Sequence, residues 1–141
     1  HVHSVPGLLL YRFNSPLTYF NAPYFKRRVL AQLVQDPHNP RCLVIDAVSC
    51  FTHQDISVMS MVGELHRELK RRGVHMVMAG RHGQLTHWFR QAGVKVGDDG
   101  ILLSPDIYQA LRMTRCYREE GTDDSAAFSS SETETPSTTI A

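Results

Sequence analysis

The chain has 141 residues, 42% of them hydrophobic and 21% charged, with a net charge of +1. That is one ordinary globular domain's worth of sequence, and it excludes collagen-like, coiled-coil and wholly disordered architectures. No apolar run nears the roughly 18 residues a membrane-crossing helix needs. His1-Val2-His3-Ser4 shows neither the basic nor the apolar region of a signal peptide, and position 1 is not Met, so an excised or processed piece of a longer protein is expected.

The small net charge hides a segregation. Residues 1–118 carry all 15 basic side chains and eight acidic ones, a balance of +7, whereas residues 119–141 carry six acidic side chains and no Lys or Arg. The second stretch is rich in Ser, Thr, Glu and Asp. It holds too little apolar surface to offset ordering entropy, so an acidic disordered tail over 119–141 is predicted behind a folded domain over 1–118. Cys42, Cys50 and Cys116 are odd in number and not tightly paired, which suits a reducing compartment.

Along the chain, strand and helix signals alternate. Residues 8–13 follow Pro6-Gly7 and read as a strand. Residues 17–20 read as a second strand across the Asn14-Ser15-Pro16 turn, giving an expected hairpin. Asn21 is a candidate N-cap, with Pro23 in the first turn of a helix whose stripe is Phe25, Val29 and Leu33, stopped by the Pro37 and Pro40 breakers. Cys42-Leu43-Val44-Ile45 is a continuous apolar run ending in Asp46, the mark of a strand buried on both faces. After a loop over 47–54, Asp55 or Ser57 caps a helix reaching about Arg72, with Val58, Met61, Val62, Leu65 and Leu69 at helical spacing and Gly73 behind it. Residues 74–79 are a further buried strand and 82–92 a helix closed by Gly93. Residues 101–103 are a short strand, and Ser104-Pro105 starts a last helix to about Arg115. The β-β-α-β-α-β-α-β-α order predicts an α/β fold built on right-handed parallel crossovers.

No catalytic constellation stands out. The eight histidines are scattered, and His82 and His87 are five apart rather than the four of a helical ligand pair, so no metal site is predicted. Cys50 and His53 share a loop, but closeness in sequence is not nucleophile geometry. There is no Gly-x-Ser-x-Gly elbow and no Walker-type phosphate loop. Gly80-Arg81-His82-Gly83 reads first as a tight strand-to-helix turn, although its N–H groups and Arg81 are of the kind that hold anions. Lys26-Arg27-Arg28 and Lys70-Arg71-Arg72 sit beside apolar stripes without the interleaved aromatics of a nucleic-acid groove, so no nucleic-acid partner is expected.

Pro6-Gly7-Leu8-Leu9-Leu10-Tyr11-Arg12-Phe13-Asn14-Ser15-Pro16-Leu17, then Tyr19-Phe20-Asn21-Ala22 and Phe25-Lys26-Arg27-Arg28, closely resemble the opening of the STAS domain at the C-terminus of SulP-family anion transporters. Val44-Ile45-Asp46-Ala47, Asp55-Ile56-Ser57, Leu69-Lys70-Arg71-Arg72-Gly73-Val74, Ala79-Gly80 and residues 107–111 follow in the family's order, so the resemblance covers about residues 6–114. It implies a small, mixed, mostly parallel sheet of 4–5 strands covered by about four helices. It further implies a non-catalytic regulatory and assembly domain at the cytoplasmic face of a bacterial inner or plasma membrane. The expected partner is the transmembrane domain of the same transporter, as a homodimer, with no direct membrane insertion of the domain itself. Anions carried in the family include sulfate, bicarbonate and dicarboxylates.

The alternative within the same fold is a free-standing anti-sigma-factor antagonist, switched by phosphorylation of a Ser directly after an Asp. Here Ile56 follows Asp55 and has no hydroxyl, and Ser57 stands one place on. No cofactor is expected. Since some STAS domains bind nucleotides, the resemblance places a weak nucleotide or anion site at Asp46, Asp55, Ser57, Gly80 and Arg81.

Overall fold

A computed structural model describes residues 2–115, 117 and 138–140. In chain order the elements are β1 (Val2–Val5), β2 (Leu8–Arg12), α1 (Ala22–Gln35), β3 (Cys42–Asp46), α2 (Ile56–Arg71), β4 (His75–Ala79), α3 (His82–Gln91), β5 (Leu102–Ser104), α4 (Ile107–Met113) and β6 (Thr138–Ile140). The sheet runs β5-β4-β3-β2-β1-β6. β2 to β5 are mutually parallel, and β1 is antiparallel to both β2 and β6. This is the α/β class that the alternating signals predict.

The parallel strands are buried on both faces, and side-chain alternation sorts them. Leu43 and Ile45 of β3, Met76 and Met78 of β4, and Leu9 and Tyr11 of β2 join one core with buried residues of α1, α2 and α3. Cys42, Val44, Val77, Ala79 and Leu8 face the other way, onto Ala110, Ile107 and Leu111 of α4. Phe25 is the hub of the first core. It is fully buried and meets Tyr11, Phe13 and Phe51 edge-on, with centroids 5.6, 5.3 and 6.5 Å away. Of the crossover helices, α2 and α3 stop at the expected glycines. Gly73 donates to the Lys70 carbonyl and Val74 to that of Leu69, and Gly93 and Val94 repeat the pattern on Arg90 and Phe89, which is a Schellman closure.

Three expectations are corrected. Residues 17–20 are not a strand: Leu17 is buried and donates to the Cys50 carbonyl, and the segment closes on itself as a tied loop. The antiparallel neighbour of β2 is instead β1, which the sequence reading passed over. The two-residue reversal at Pro6-Gly7 delivers β1 directly, while β3 takes β2's other edge. The parallel part, β2 to β5, has four strands, and β1 and β6 bring the strands among the described residues to six. Asn21 stands at the start of α1 without capping it, because its Oδ1 accepts from Thr18 N. Asp106, not Ser104, caps the last helix. Ser104 belongs to β5, and its hydroxyl donates to the Asp106 carbonyl, which leaves the Asp106 carboxylate to accept from Gln109 N. Of the acidic tail predicted over 119–141, residues 119–137 and 141 lie outside the described residues. Its described part is β6, beside β1.

Candidate functional site

In an open parallel sheet, ligands approach the carboxyl ends of the strands. Here those ends bring together Arg12, Asp46, the loop after β3, and Gly80-Arg81. Arg12 and Asp46 are register partners, and Arg12 Nε lies 2.8 Å from Asp46 Oδ2. The other carboxylate oxygen accepts from Val48 N at 3.1 Å. Arg81 reaches the same loop, its Nε donating to the Val48 carbonyl at 2.9 Å and its Nη1 to Gln84 Oε1 at 3.2 Å. These bonds hold Arg81 at φ +54°, a left-handed conformation that costs a non-glycine residue roughly 1 kcal/mol. Gly80 precedes it at φ +99°, with Val48 Cγ2 only 2.6 Å from where a Cβ would stand. Val48 is therefore the common fastener of the strand-end group, and no motif in the sequence marks it.

Asp55 and Ser57 form a second, separate group. Asp55 Oδ1 accepts from Ser57 N at 2.8 Å and Val58 N at 3.2 Å and so caps α2, while Oδ2 accepts from Tyr19 N at 3.1 Å. Ser57 lines a groove of about 550 Å³ between α1 and α2, together with Tyr19, Lys26, Arg27, Ile56 and Ser60. Asp46, Gly80 and Arg81 do not line it. Alternation separates the two groups: Asp46 continues the Cys42 and Val44 side of β3, which α4 covers, and α2 packs on the opposite face. The five predicted residues are thus not one cluster. Both carboxylates stand where an anion would approach, and both are already hydrogen-bonded. In the sequence Lys26 and Arg27 stand beside an apolar stripe, and their place in a groove with exposed apolar residues becomes visible only once α1 meets α2.

Cys50 and His53 do not form a nucleophile pair. Cys50 is buried with its thiol toward the Asp46 carbonyl, and His53 Nδ1 lies 2.9 Å from Thr52 Oγ1. Burial first, and the Asp46 charge second, push the Cys50 thiol up to about 12. Native protein at neutral pH is therefore expected to leave Cys50 unmodified by iodoacetamide, with labelling after unfolding in urea. Peptide mapping that finds rapid native labelling of Cys50 contradicts this assignment.

At the far end of α2, Glu68 binds both Arg71 and Arg72, and its carboxyl is held below its ordinary value by those hydrogen bonds. Burial, then Lys70 and Arg67, lower His66 from its ordinary 6.5, partly offset by a hydrogen bond with the Gly100 backbone. The folded state therefore prefers neutral His66. Its contribution is fully present above pH 6.5 and is lost as pH falls through the lowered folded value. The urea midpoint is expected to fall on acidification below 6.5 more steeply in the wild type than in His66→Gln. Equal slopes in the two proteins would refute that contribution.

Among the described residues no group of three or more His, Cys, Asp or Glu is placed to hold a metal, and no helix is long and apolar enough to cross a membrane. The family pattern of the STAS domain matches residues 1–110. Probable sulfate transporters of Mycobacterium tuberculosis, from strains H37Rv and CDC 1551, are each 36% identical over 111 residues, covering 77% of this chain. The chain spans only 20% of the length of those relatives. In structure it is similar to the murine Solute Carrier 26 family member A9 anion transporter in its inward-facing state, with a TM-score of 0.67, 20% identity and coverage of 80% of this chain and 18% of that one. It is also similar to a sulfate transporter family protein from Wolinella succinogenes, with a TM-score of 0.55, 19% identity and coverage of 80% and 89%. The matched pattern takes in every element from β1 to most of α4 in the observed topology, and the chain belongs to the STAS domain family.

Proposed function

We propose that this domain is the non-catalytic regulatory and assembly part of a membrane anion transporter. The observation that carries the reading is the match at 36% identity to about a fifth of two proteins named as probable sulfate transporters, with no more of those proteins covered. The engagement of Asp46, Arg81, Asp55 and Cys50 in bonds that hold the fold supports a role in binding and regulation rather than in bond-making chemistry. In this reading the domain lies at the cytoplasmic face, with the transporter's membrane domain as partner and a second copy in a homodimer. The family resemblance alone supports that placement.

The test is sulfate uptake into vesicles by the complete transporter that carries this domain, intact and with residues 1–118 removed. Uptake that falls or loses its regulation, with the membrane part still inserted, is the expected result. Uptake that is unchanged in rate and regulation overturns the reading. Light scattering of the isolated domain adds the assembly arm, a concentration-dependent dimer being expected.

Nucleotide binding is, in this proposal, a weak accessory property, because Asp46 and Asp55 present negative charge at both halves of the predicted site. A titration followed by amide chemical shifts is expected to show no saturation below millimolar nucleotide, and micromolar saturation would reverse it. The antagonist-type phospho-switch is not favoured: Ile56 is the exposed first residue of α2 and offers no oxygen for a phosphoryl group.

A further inference from the structure

The loop entering α1 sorts its apolar residues in two directions. Leu17 is fully buried, whereas Tyr19 is 72% exposed and Phe20 80% exposed. Ile56, at the start of α2, is 67% exposed and lines the same groove as Tyr19. Tyr24, in the first turn of α1, is a further part-exposed ring and packs against Phe13. Lone exposed apolar residues need no explanation, but Tyr19 and Ile56 on one groove, with Phe20 beside Tyr19, do.

The loop is held in this shape by its own backbone. Leu17 N donates to the Cys50 carbonyl, Thr18 N to Asn21 Oδ1, Tyr19 N to Asp55 Oδ2, Phe20 N to Thr18 Oγ1 and Ala22 N to the Thr18 carbonyl, at 2.7–3.2 Å. These N–H groups have partners already, so moving the loop into a medium of low polarity strands none of them. Behind the rings stand the cations of α1. Lys26 and Arg27 line the groove beside Tyr19 and Ile56, and Arg28 lies over the Tyr24 ring at 5.7 Å. Lys26 pairs with Glu64, while Arg27 is exposed and has no ion pair among the described residues. The charges facing the groove are thus Lys26, Arg27 and Glu64, and Asp55 turns its carboxylate to backbone N–H groups.

We propose that this surface docks the domain on an anionic lipid bilayer, with Tyr19, Phe20 and Ile56 at headgroup depth and Lys26 and Arg27 on lipid phosphates. Protruding rings on a tied loop, with basic side chains set one turn behind them, match the layered polarity of a membrane interface. A protein partner would more commonly meet a flat or concave apolar centre with a polar rim. The contact is ring-deep and adds no spanning segment, and the inference does not rest on the transporter reading.

The test is co-sedimentation of the 141-residue chain with phosphatidylglycerol-rich vesicles and with phosphatidylcholine vesicles at an ionic strength of ~0.15 M. Binding to the anionic vesicles alone is expected. Tyr19→Ser with Phe20→Ser should lower the partition coefficient at least tenfold, and Arg27→Gln about fivefold, the equivalent of ~1 kcal/mol per cation at the surface. Melting temperatures should not change, because these side chains are exposed. Phe20→Trp should gain blue-shifted fluorescence over the Trp88 background and be quenched by lipids brominated on the acyl chain. The proposal fails if the chain binds neither vesicle, or binds equally without the two rings. It also fails if inorganic phosphate at matched ionic strength displaces the chain, which would make this a small-anion site. Binding that requires a reconstituted transporter membrane domain and is absent on lipid alone likewise overturns it and gives the surface to a protein partner.

Discussion

Phe25→Ala is expected to remove about 3–5 kcal/mol of folding stability, the range for truncating a fully buried phenylalanine. The ring leaves a cavity between β2, α1 and the loop after β3, and three edge-on aromatic contacts go with it. Each such contact contributes about 0.5–1.5 kcal/mol beyond burial. A domain of this size is stable by only about 5–15 kcal/mol, so the variant sits near the edge of folding. Phe25→Leu keeps most of the volume and loses the ring contacts, and about 1–2 kcal/mol is expected of it. Urea unfolding at constant m-value measures both. A loss below about 1 kcal/mol for Phe25→Ala would show that the aromatic cluster repacks around the gap and is not the hub described here.

Gly80→Ala is the second large effect, and its cause can be divided. The backbone at φ +99° disfavours any Cβ, at about 1–3 kcal/mol. The Cβ would also stand 2.6 Å from Val48 Cγ2, an overpacking that adds about 1–3 kcal/mol. Val48 is itself 54% exposed, so Val48→Ala alone should cost well under 1 kcal/mol. The double variant is expected to recover the overpacking share and keep the conformational one, giving a favourable coupling of about 1 kcal/mol or more. Additive effects in the cycle would mean that Val48 moves aside without strain, and the description of that loop as the fastener of Arg81 would fall.

The elements were legible where one physical signal dominated. The α2 pattern of Val58, Met61, Val62, Leu65 and Leu69 with Gly73 behind it left one reading, and so did the apolar run Cys42-Leu43-Val44-Ile45. Residues 17–20 misled because strand propensity is a property of side chains, whereas the Asn21 and Asp55 side-chain oxygens that tie the loop come from three and 36 residues away. The strand β1 was missed because its four residues hold only two apolar ones. Its antiparallel place depends on the reversal at Pro6-Gly7, which was read as the start of β2 rather than the end of something. The five candidate site residues fall into two groups, Asp46 with Gly80 and Arg81, and Asp55 with Ser57. Sequence order shows that Asp46 ends a strand and Asp55 begins a helix, but not that the pleat turns the first toward α4 while the second lies over the opposite face.

The sheet from β1 to β5 is laid down in chain order, each strand beside the one before it. A nascent chain leaving the ribosome can therefore extend the sheet one strand at a time, and α1, α2 and α3 cover one side as they emerge. The other side has no such luck in timing. Leu8, Cys42, Val44, Val77 and Ala79 wait for Ile107, Ala110 and Leu111, the last described apolar helix to be synthesised. Until those residues clear the exit tunnel the growing domain shows water a continuous oily wall, and a chain stalled before Ile107 is the form in which chaperones and proteases would find this protein.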